Sequence, residues 1–446
     1  MRSDVISGPR PSRPGLEPPQ AVAVRPPRGA AAAMEPLLSH FFGGPPPVRV
    51  RFWDGTALGP AEGDTLEVRS REAVRRLLWS PNELGLARAF VAGELDFDGD
   101  IFEMLAMLHA ASPSRLRSTS SLPWQAVRTA HRLGALGRPI PPPPEEAAPR
   151  GRLHSRARDA QAVRHHYDVS NDFYAMVLGP SMTYSCARFS SDAASLEEAQ
   201  ESKHDLICRK LGLRDRTGQR LLDVGCGWGS LAMHAARHYG AHVVGVTLSP
   251  EQAQWARQRV AAGGLDRQVE IRVQDYRDVP EGTFDAIASV GMFEHVGSSK
   301  RAEYFGAMRR LVRPEGRLLN HAISSVGGSS ISPRSFIGRY VFPDGELLDV
   351  GQVVLAMEEA GFEARDLESL REHYAKTLRA WVDNLQRHWE DVVAEVGVRR
   401  ARVWLLYMAA SANGFEDGGI SVHQVLGVLP TPGGRSGMPP TRSGWT

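Results

Sequence analysis

Asp223-Val224-Gly225-Cys226-Gly227-Trp228-Gly229 sets a carboxylate just ahead of three alternating glycines. Glycine there permits a tight turn and lets a ligand approach bare backbone, close to the N–H groups of a helix start. The spacing is D-x-G-x-G-x-G and not the G-x-G-x-x-G of pyrophosphate sites. An acid at a strand end suits a ligand whose amino group needs a carboxylate. S-adenosylmethionine, with its ammonium and sulfonium, is such a ligand. The flanks agree: Arg220 to Val224 is an apolar run of strand length, and Leu231 to Arg237 reads as a helix.

Stepping outward, strands and helices alternate. Strands are expected over 219–224, 242–247, 268–273, 284–290, 316–323 and 419–427. Helices are expected over Ser195 to Leu211, 229–239, 250–262, 300–312, 351–360, 375–393 and 398–411. Strands separated by helices imply a Rossmann-like α/β fold, a parallel sheet covered on both faces. Ligands in such sheets sit beyond the carboxyl ends of the strands. Asp223, Thr247, Asp275 and Glu294 all fall there, so they predict one shared site.

With 446 residues, two globular parts plus tails are expected. A net charge of +2 gives no bulk argument for nucleic acid. Cys186, Cys208 and Cys226 have no paired spacing, which speaks against a disulfide framework or zinc site and fits a reducing cytosol. His165 and His166 are adjacent, with no further ligand at metal spacing, so no metal is assigned. No run reaches the roughly 18 apolar residues of a membrane-spanning helix, so membrane contact is expected to be peripheral.

Residues 1–47, rich in Pro, Arg, Ala and Gly, read as a disordered leader, with Met34 an alternative start to Met1. Residues 48–111 read as a small α+β domain for packing or substrate docking. Residues 112–160 read as a linker, stiffened at Pro141-Pro142-Pro143-Pro144 and carrying arginines suited either to anionic headgroups or to a solvated face. Residues 161–430 form the catalytic domain and 431–446 a flexible tail.

The catalytic domain resembles cyclopropane-fatty-acyl-phospholipid synthases and the related mycolic acid cyclopropane synthases, which are class I S-adenosylmethionine methyltransferases. The matching stretches include His166-Tyr167-Asp168, Tyr184-Ser185-Cys186, Leu222 to Gly229, Val246 to Gln252, Gln274 to Asp278, Gly291-Met292-Phe293-Glu294-His295-Val296-Gly297, Tyr340 to Gly345, and His373 to Leu378. Phe90 with Gly93-Glu94-Leu95-Asp96 also looks like the small N-terminal domain of the longer synthases.

The resemblance implies a division of labour. Tyr184 and Ser185 would reach the cofactor's carboxylate, and Gly225, Gly227 and Gly229 would line its loop. Where many nucleotide folds have an acid for the ribose, Thr247-Leu248-Ser249 stands, so Gln252 is the ribose candidate. Asp275 and Tyr276 would hold adenine by a hydrogen bond and by stacking. Bicarbonate would act as the base, held by Cys186, Glu294, His321, Tyr374 and the backbone of Ile323. Phe293, Tyr340, Phe342 and Trp381 are candidates for facing a carbocation. Ser411, where some synthases have Cys, argues against a nucleophile there. The implied partners are unsaturated phospholipid acyl chains on the inner face of the membrane, with the protein cytoplasmic. Oligomeric state stays open, a homodimer included.

Overall fold

The computed structural model describes residues 29–111, 122–147, 169–213, 218–280, 284–328, 331–343 and 345–445, with Arg158 besides. His165-His166-Tyr167-Asp168 lie outside the described residues.

In the small domain, α1 (Gly29–Phe42) precedes β1 (Arg49–Phe52), β2 (Ala57–Leu58) and β3 (Thr65–Val68). Then come α2 (Arg71–Trp79), α3 (Glu83–Val91), β4 (Leu95–Asp98), α4 (Ile101–Ala111) and α5 (Leu122–Arg132). The strands form a sheet of order β2-β1-β3-β4. Ser70 and Asn82 cap α2 and α3, each accepting a backbone N–H from the first turn.

Two expectations change here. Residues 29–42, expected within a disordered leader, form α1, because the alanine run supplies helix propensity and buries Ala30, Ala31, Ala33 and Met34. The linker is not merely a spacer either. Thr129 on α5 donates to the Ala33 carbonyl at 3.2 Å, Arg76 donates to the Pro141 carbonyl at 2.9 Å, and Arg88 pairs with Glu146 at 2.7 Å.

The catalytic domain opens with α6 (Asn171–Leu178) and α7 (Leu196–Lys210), whose start is a capping box between Ser195 and Glu198. The elements β5 (Arg220–Val224), α8 (Ser230–Tyr239), β6 (His242–Thr247), α9 (Pro250–Ala262) and β7 (Val269–Val273) follow. After them come β8 (Phe284–Val290), α10 (Arg301–Leu311), β9 (Val312–Ser325), α11 (Phe336–Tyr340), β10 (Leu348–Asp349) and α12 (Val350–Glu359). Last are β11 (Glu363–Ser369), α13 (Arg371–Arg387), α14 (Trp389–Val396), α15 (Val398–Glu416) and β12 (Ile420–Val428).

The main sheet runs β11-β12-β9-β8-β5-β6-β7, with β10 paired to β9. It is mostly parallel, as expected, but β12 is antiparallel to both neighbours. β11, which the sequence did not announce, is an edge strand whose charged residues Glu363, Arg365, Asp366 and Glu368 mask its pattern. The tail is also more tied down than expected: Trp445 is buried and Arg442 pairs with Asp366 at 3.0 Å.

One apolar cluster spans both domains, joining Leu84, Phe90 and Phe102 of the small domain to Phe173, Trp381 and Trp404 of the large one. Across that seam the buried Arg402 donates to the carbonyls of Phe90 and Leu95 and pairs with Asp96 at 2.9 Å. The small domain thus keeps a core of its own around Val50, Phe52 and Leu66 and shares this second cluster with the large domain.

Candidate active site

A cavity opens at the carboxyl ends of β5, β6 and β8, lined among others by Tyr184, Ser185, Asp223, Gly225, Gly227, Thr247, Gln252, Asp275 and Tyr276. The glycine loop is held by backbone, since Gly225 and Cys226 both donate to the Val246 carbonyl, at 2.9 and 3.0 Å. Gly225, Gly227 and Gly229 have φ of +78°, +53° and +80°, which favour glycine. They differ in task. A Cβ on Gly227 would meet no protein atom within 4 Å, so that position faces open space. A Cβ on Gly229 would meet Ala256 at 3.2 Å, so this glycine serves helix packing and does not line the cavity.

Asp223 is 2% exposed and its Oδ2 has no partner, a buried acceptor that calls for a donor. Ser185 accepts from Lys203 Nζ at 2.8 Å, while Gln200 donates to the Ser185 carbonyl at 3.0 Å. Thr247 donates to Gln252 Oε1 at 2.9 Å, leaving the Gln252 amide N–H groups for hydroxyl acceptors. Ser249 does not line the cavity: it caps α9, accepting from Gln252 N and donating to Glu251. The Asp275 carboxylate is engaged by Arg277 through two guanidinium N–H groups and one backbone N–H. Any contact from Asp275 to an adenine amine would share those oxygens.

The residues expected at the reaction centre lie behind the cavity wall. Glu294 follows Gly291 and Met292, which line the cavity. Its Oε1 accepts the Ile323 backbone N–H at 2.8 Å and its Oε2 has no partner. Burial pushes this carboxyl up to about 7, against the opposing pull of the Ile323 N–H. Ile323 thus spends its N–H on Glu294, so its backbone donor acts through that carboxyl.

His321 stands two residues earlier on β9, opposite Val290 on β8 and Gln424 on β12. Gln424 Nε2 lies 3.3 Å from His321 Nδ1, and His321 Nε2 has no partner. Burial drives His321 down to about 3, so the ring is neutral.

Cys186 is wholly buried, its Sγ 3.6 Å from the Leu370 carbonyl. That carbonyl also accepts the Tyr374 N–H, and Leu370 N donates to the Val422 carbonyl beside Ile323. The two pairs, Cys186 with Tyr374 and Glu294 with His321, are therefore joined at the Leu370–Val422 seam.

Aromatic rings pack around Tyr184, which lines the cavity. Tyr184 donates to Tyr407 Oη at 3.1 Å and packs at 5.2 Å from Trp381 and 5.9 Å from Trp404. Trp381 lies 6.1 Å from Tyr374, and Phe342 lies 5.7 Å from Tyr407. Phe293 belongs elsewhere, packed on Tyr304 and Phe305 beneath the sheet. Tyr340 packs against Phe336 in α11, ring centroids 5.3 Å apart, at the seam with the small domain.

The residues 154–425 match the family described as mycolic acid cyclopropane synthetase. The chain belongs to that family. It is an S-adenosylmethionine-dependent methyltransferase of the cyclopropane-synthase type. It is 44% identical over 407 residues to a Mycobacterium tuberculosis protein named "Probable fatty acid methyltransferase Rv3720", covering 88% of this chain and 93% of that one. It is 39% identical over 274 residues to the Escherichia coli cyclopropane-fatty-acyl-phospholipid synthase, covering 61% of this chain and 69% of that one. The solved mycolic acid cyclopropane synthase CmaA1, in complex with SAH and CTAB, superposes with a TM-score of 0.57 at 34% identity, over 60% of this chain and 97% of that one.

Four residues of this family member's site escaped the sequence reading: Lys203, Gln200, Tyr407 and Gln424. Lys203 had a signal, since it shares a helix face with Ala199, Leu206 and Ile207, where a solvated lysine does not belong. Gln424 had none, because its partner His321 is 103 residues away. Among the described residues, Glu201, His234 and His238 bring three metal-ligating atoms within 4.8 Å of one another. They lie outside the cavity, Glu201 and His238 are exposed, and the sequence assigns no metal.

Proposed function

We propose that this chain adds a methylene group, drawn from S-adenosylmethionine, across a cis double bond of an unsaturated phospholipid acyl chain and closes a cyclopropane ring. The observation that carries this reading is the pair of orphaned polar atoms, Glu294 Oε2 and His321 Nε2, buried behind the cofactor cavity.

When bound, S-adenosylmethionine supplies an electrophilic methyl group on its sulfonium. The cavity residues fit it: the open cradle at Gly227 admits a ligand against backbone, and Asp223 Oδ2 lacks the donor that the cofactor's ammonium offers. An isolated alkene needs no base to react. It needs alignment and the exclusion of water, which the rings of Tyr184, Trp381, Trp404, Phe342 and Tyr407 provide. Their faces also stabilise the positive charge that develops on the acyl chain.

Ring closure then requires a group that accepts a proton from the added carbon. Bicarbonate would supply that acceptor, and Glu294, His321, Cys186 and Tyr374 are the residues that would hold it. A Glu294 carboxyl near 7 is substantially protonated at neutral pH and can donate to an anion that a carboxylate would repel. Neutral His321, with its proton on the unpartnered Nε2, would donate in the same way.

A second reading has a specific support. The relative named as a fatty acid methyltransferase is more similar, and over more of the chain, than the cyclopropane synthase. In that reading the same cation undergoes a hydride shift and then loses a proton to leave a methylene branch, and a saturated methyl branch would need a hydride donor besides.

The substrate also sets the location: cytoplasmic, at the inner face of a membrane. No described helix is long and apolar enough to cross one. The small domain offers a docking surface in exposed Trp79 and Trp124, with Arg128 and Arg132 on the same helix as Trp124. Incubation with vesicles of monounsaturated phospholipid and methyl-labelled cofactor tests the reading. The label should enter the acyl chain, with the gain of one CH2. Label in the headgroup, or none in lipid, refutes it.

A further inference from the structure

Lys203 is the residue of the cavity whose chemistry the reaction has not yet used. It sits mid-way along α7 and is 1% exposed, yet it lines the cavity together with Ser185 and Asp223. Its Nζ donates to Ser185 Oγ at 2.8 Å. An ammonium carries three N–H donors, and one neutral hydroxyl is a poor match for a buried cation. Asp223, at the end of β5, faces the same space with an unpartnered Oδ2. Burial pushes the Lys203 ammonium down and the Asp223 carboxyl up, and each opposes the other's shift.

The cavity therefore presents one buried cation and one buried acid, with no third charge assigned to satisfy either. A zwitterion entering this space offers a carboxylate to the first and an ammonium to the second. The amino-acid end of the cofactor is such a zwitterion. We propose that Lys203 binds the cofactor's carboxylate, with Ser185 positioned by Lys203 as a second donor to the same group. Lys203 accordingly sets a preference for ligands that keep the α-carboxylate. This inference rests on the cofactor reading and adds a residue to it.

The test is calorimetric and needs no turnover: S-adenosylmethionine and decarboxylated S-adenosylmethionine are titrated into the parent protein and Lys203→Met. The two ligands share adenine, ribose, sulfonium and ammonium and differ in the carboxylate alone. The parent should prefer S-adenosylmethionine, and Lys203→Met should weaken that ligand by roughly 10- to 100-fold, the scale of a lost charge-assisted hydrogen bond. The decarboxylated ligand should bind both proteins within about twofold, because it never met the ammonium. Equal loss for both ligands overturns the proposal and makes Lys203 a counter-ion of Asp223. No loss for either also overturns it. Where Lys203→Met lacks a cooperative melting transition, Lys203→Gln replaces it, with the same selective loss expected. Failure of the parent to bind either ligand strikes the cofactor reading itself, which separates the two failures.

Discussion

The strand pair β5–β6 and the strand pair β9–β12 stand on the same sheet and build their halves of the site by different means. At β5–β6 the work is done by backbone. Gly225 and Cys226 hang from the Val246 carbonyl, Gly227 leaves open space, and the loop runs straight into α8. At β9–β12 the work is done by side chains from distant parts of the chain. Glu294 reaches the Ile323 N–H and His321 reaches Gln424 because β9 is flanked by β8 and β12, while Cys186 and the Tyr374 N–H share the carbonyl of Leu370, which bonds to Val422. The first half tolerates little change of conformation, and the second little change of polarity. Buried groups such as Glu294 Oε2 and His321 Nε2 cost stability when unpaired, so their presence points to a ligand.

That contrast can be broken most forcefully at Glu294. Glu294→Gln keeps an acceptor for the Ile323 N–H and should leave cofactor affinity unchanged. Ring formation should slow by roughly two to four orders of magnitude, the scale of a lost acid–base group. Removing bicarbonate should slow the parent, and adding it back should restore the rate. Normal turnover in the variant, with indifference to bicarbonate, moves the base elsewhere.

Gly227→Val probes the other half. A β-branched residue at φ +53° is strained, and its side chain would enter the open cradle. Cofactor affinity should fall by roughly 100-fold or more while the circular dichroism spectrum holds. Unchanged affinity in the folded variant removes the loop from the cofactor site.

The polarity half also predicts a pH signature. The folded pKa of Glu294 lies above its ordinary value, so the folded state binds the extra proton between about 4.5 and 7. The stability this group contributes is full below that window and is lost as pH rises through it. Glu294→Gln should therefore lose less stability than the parent between the two ends, by about 3 kcal/mol in urea titrations. Parallel curves would place Glu294 in a solvated setting.

The smallest effect belongs to the surface. Deleting the small domain would strip Arg402 and α15 of their partners, so the docking role is better tested by Trp124→Ser. Binding to anionic vesicles should weaken by roughly 3- to 10-fold, with cofactor affinity unaltered. Equal vesicle binding assigns docking to another face.

The two halves were not equally legible in the sequence. The glycine loop and its flanking strands could be read because turn, strand and helix are consecutive and each has a local physical signature. Asp223 and Gly227 came directly from that. The proposed catalytic set came from the resemblance, since no spacing rule connects Cys186 to Tyr374 or Glu294 to His321. Ser249 caps a helix and Phe293 packs under the sheet, contacts that neighbours along the chain do not reveal, since they do not fix a side chain's face. The helix α1 was hidden by the proline and arginine of the leader around it. β12 reversed direction without any mark in its apolar pattern, which is the same for parallel and antiparallel buried strands.

Proton NMR of lipid extracted after incubation with monounsaturated phospholipid vesicles, S-adenosylmethionine and bicarbonate tests the central claim most directly. Mass alone cannot separate a ring from an exocyclic methylene, but the ring protons resonate at distinctively high field. The expected result is the high-field cyclopropane signal growing as the olefinic signal declines. Olefinic methylene or branched-methyl signals, with no high-field resonance, would contradict cyclopropanation and favour the branching reading.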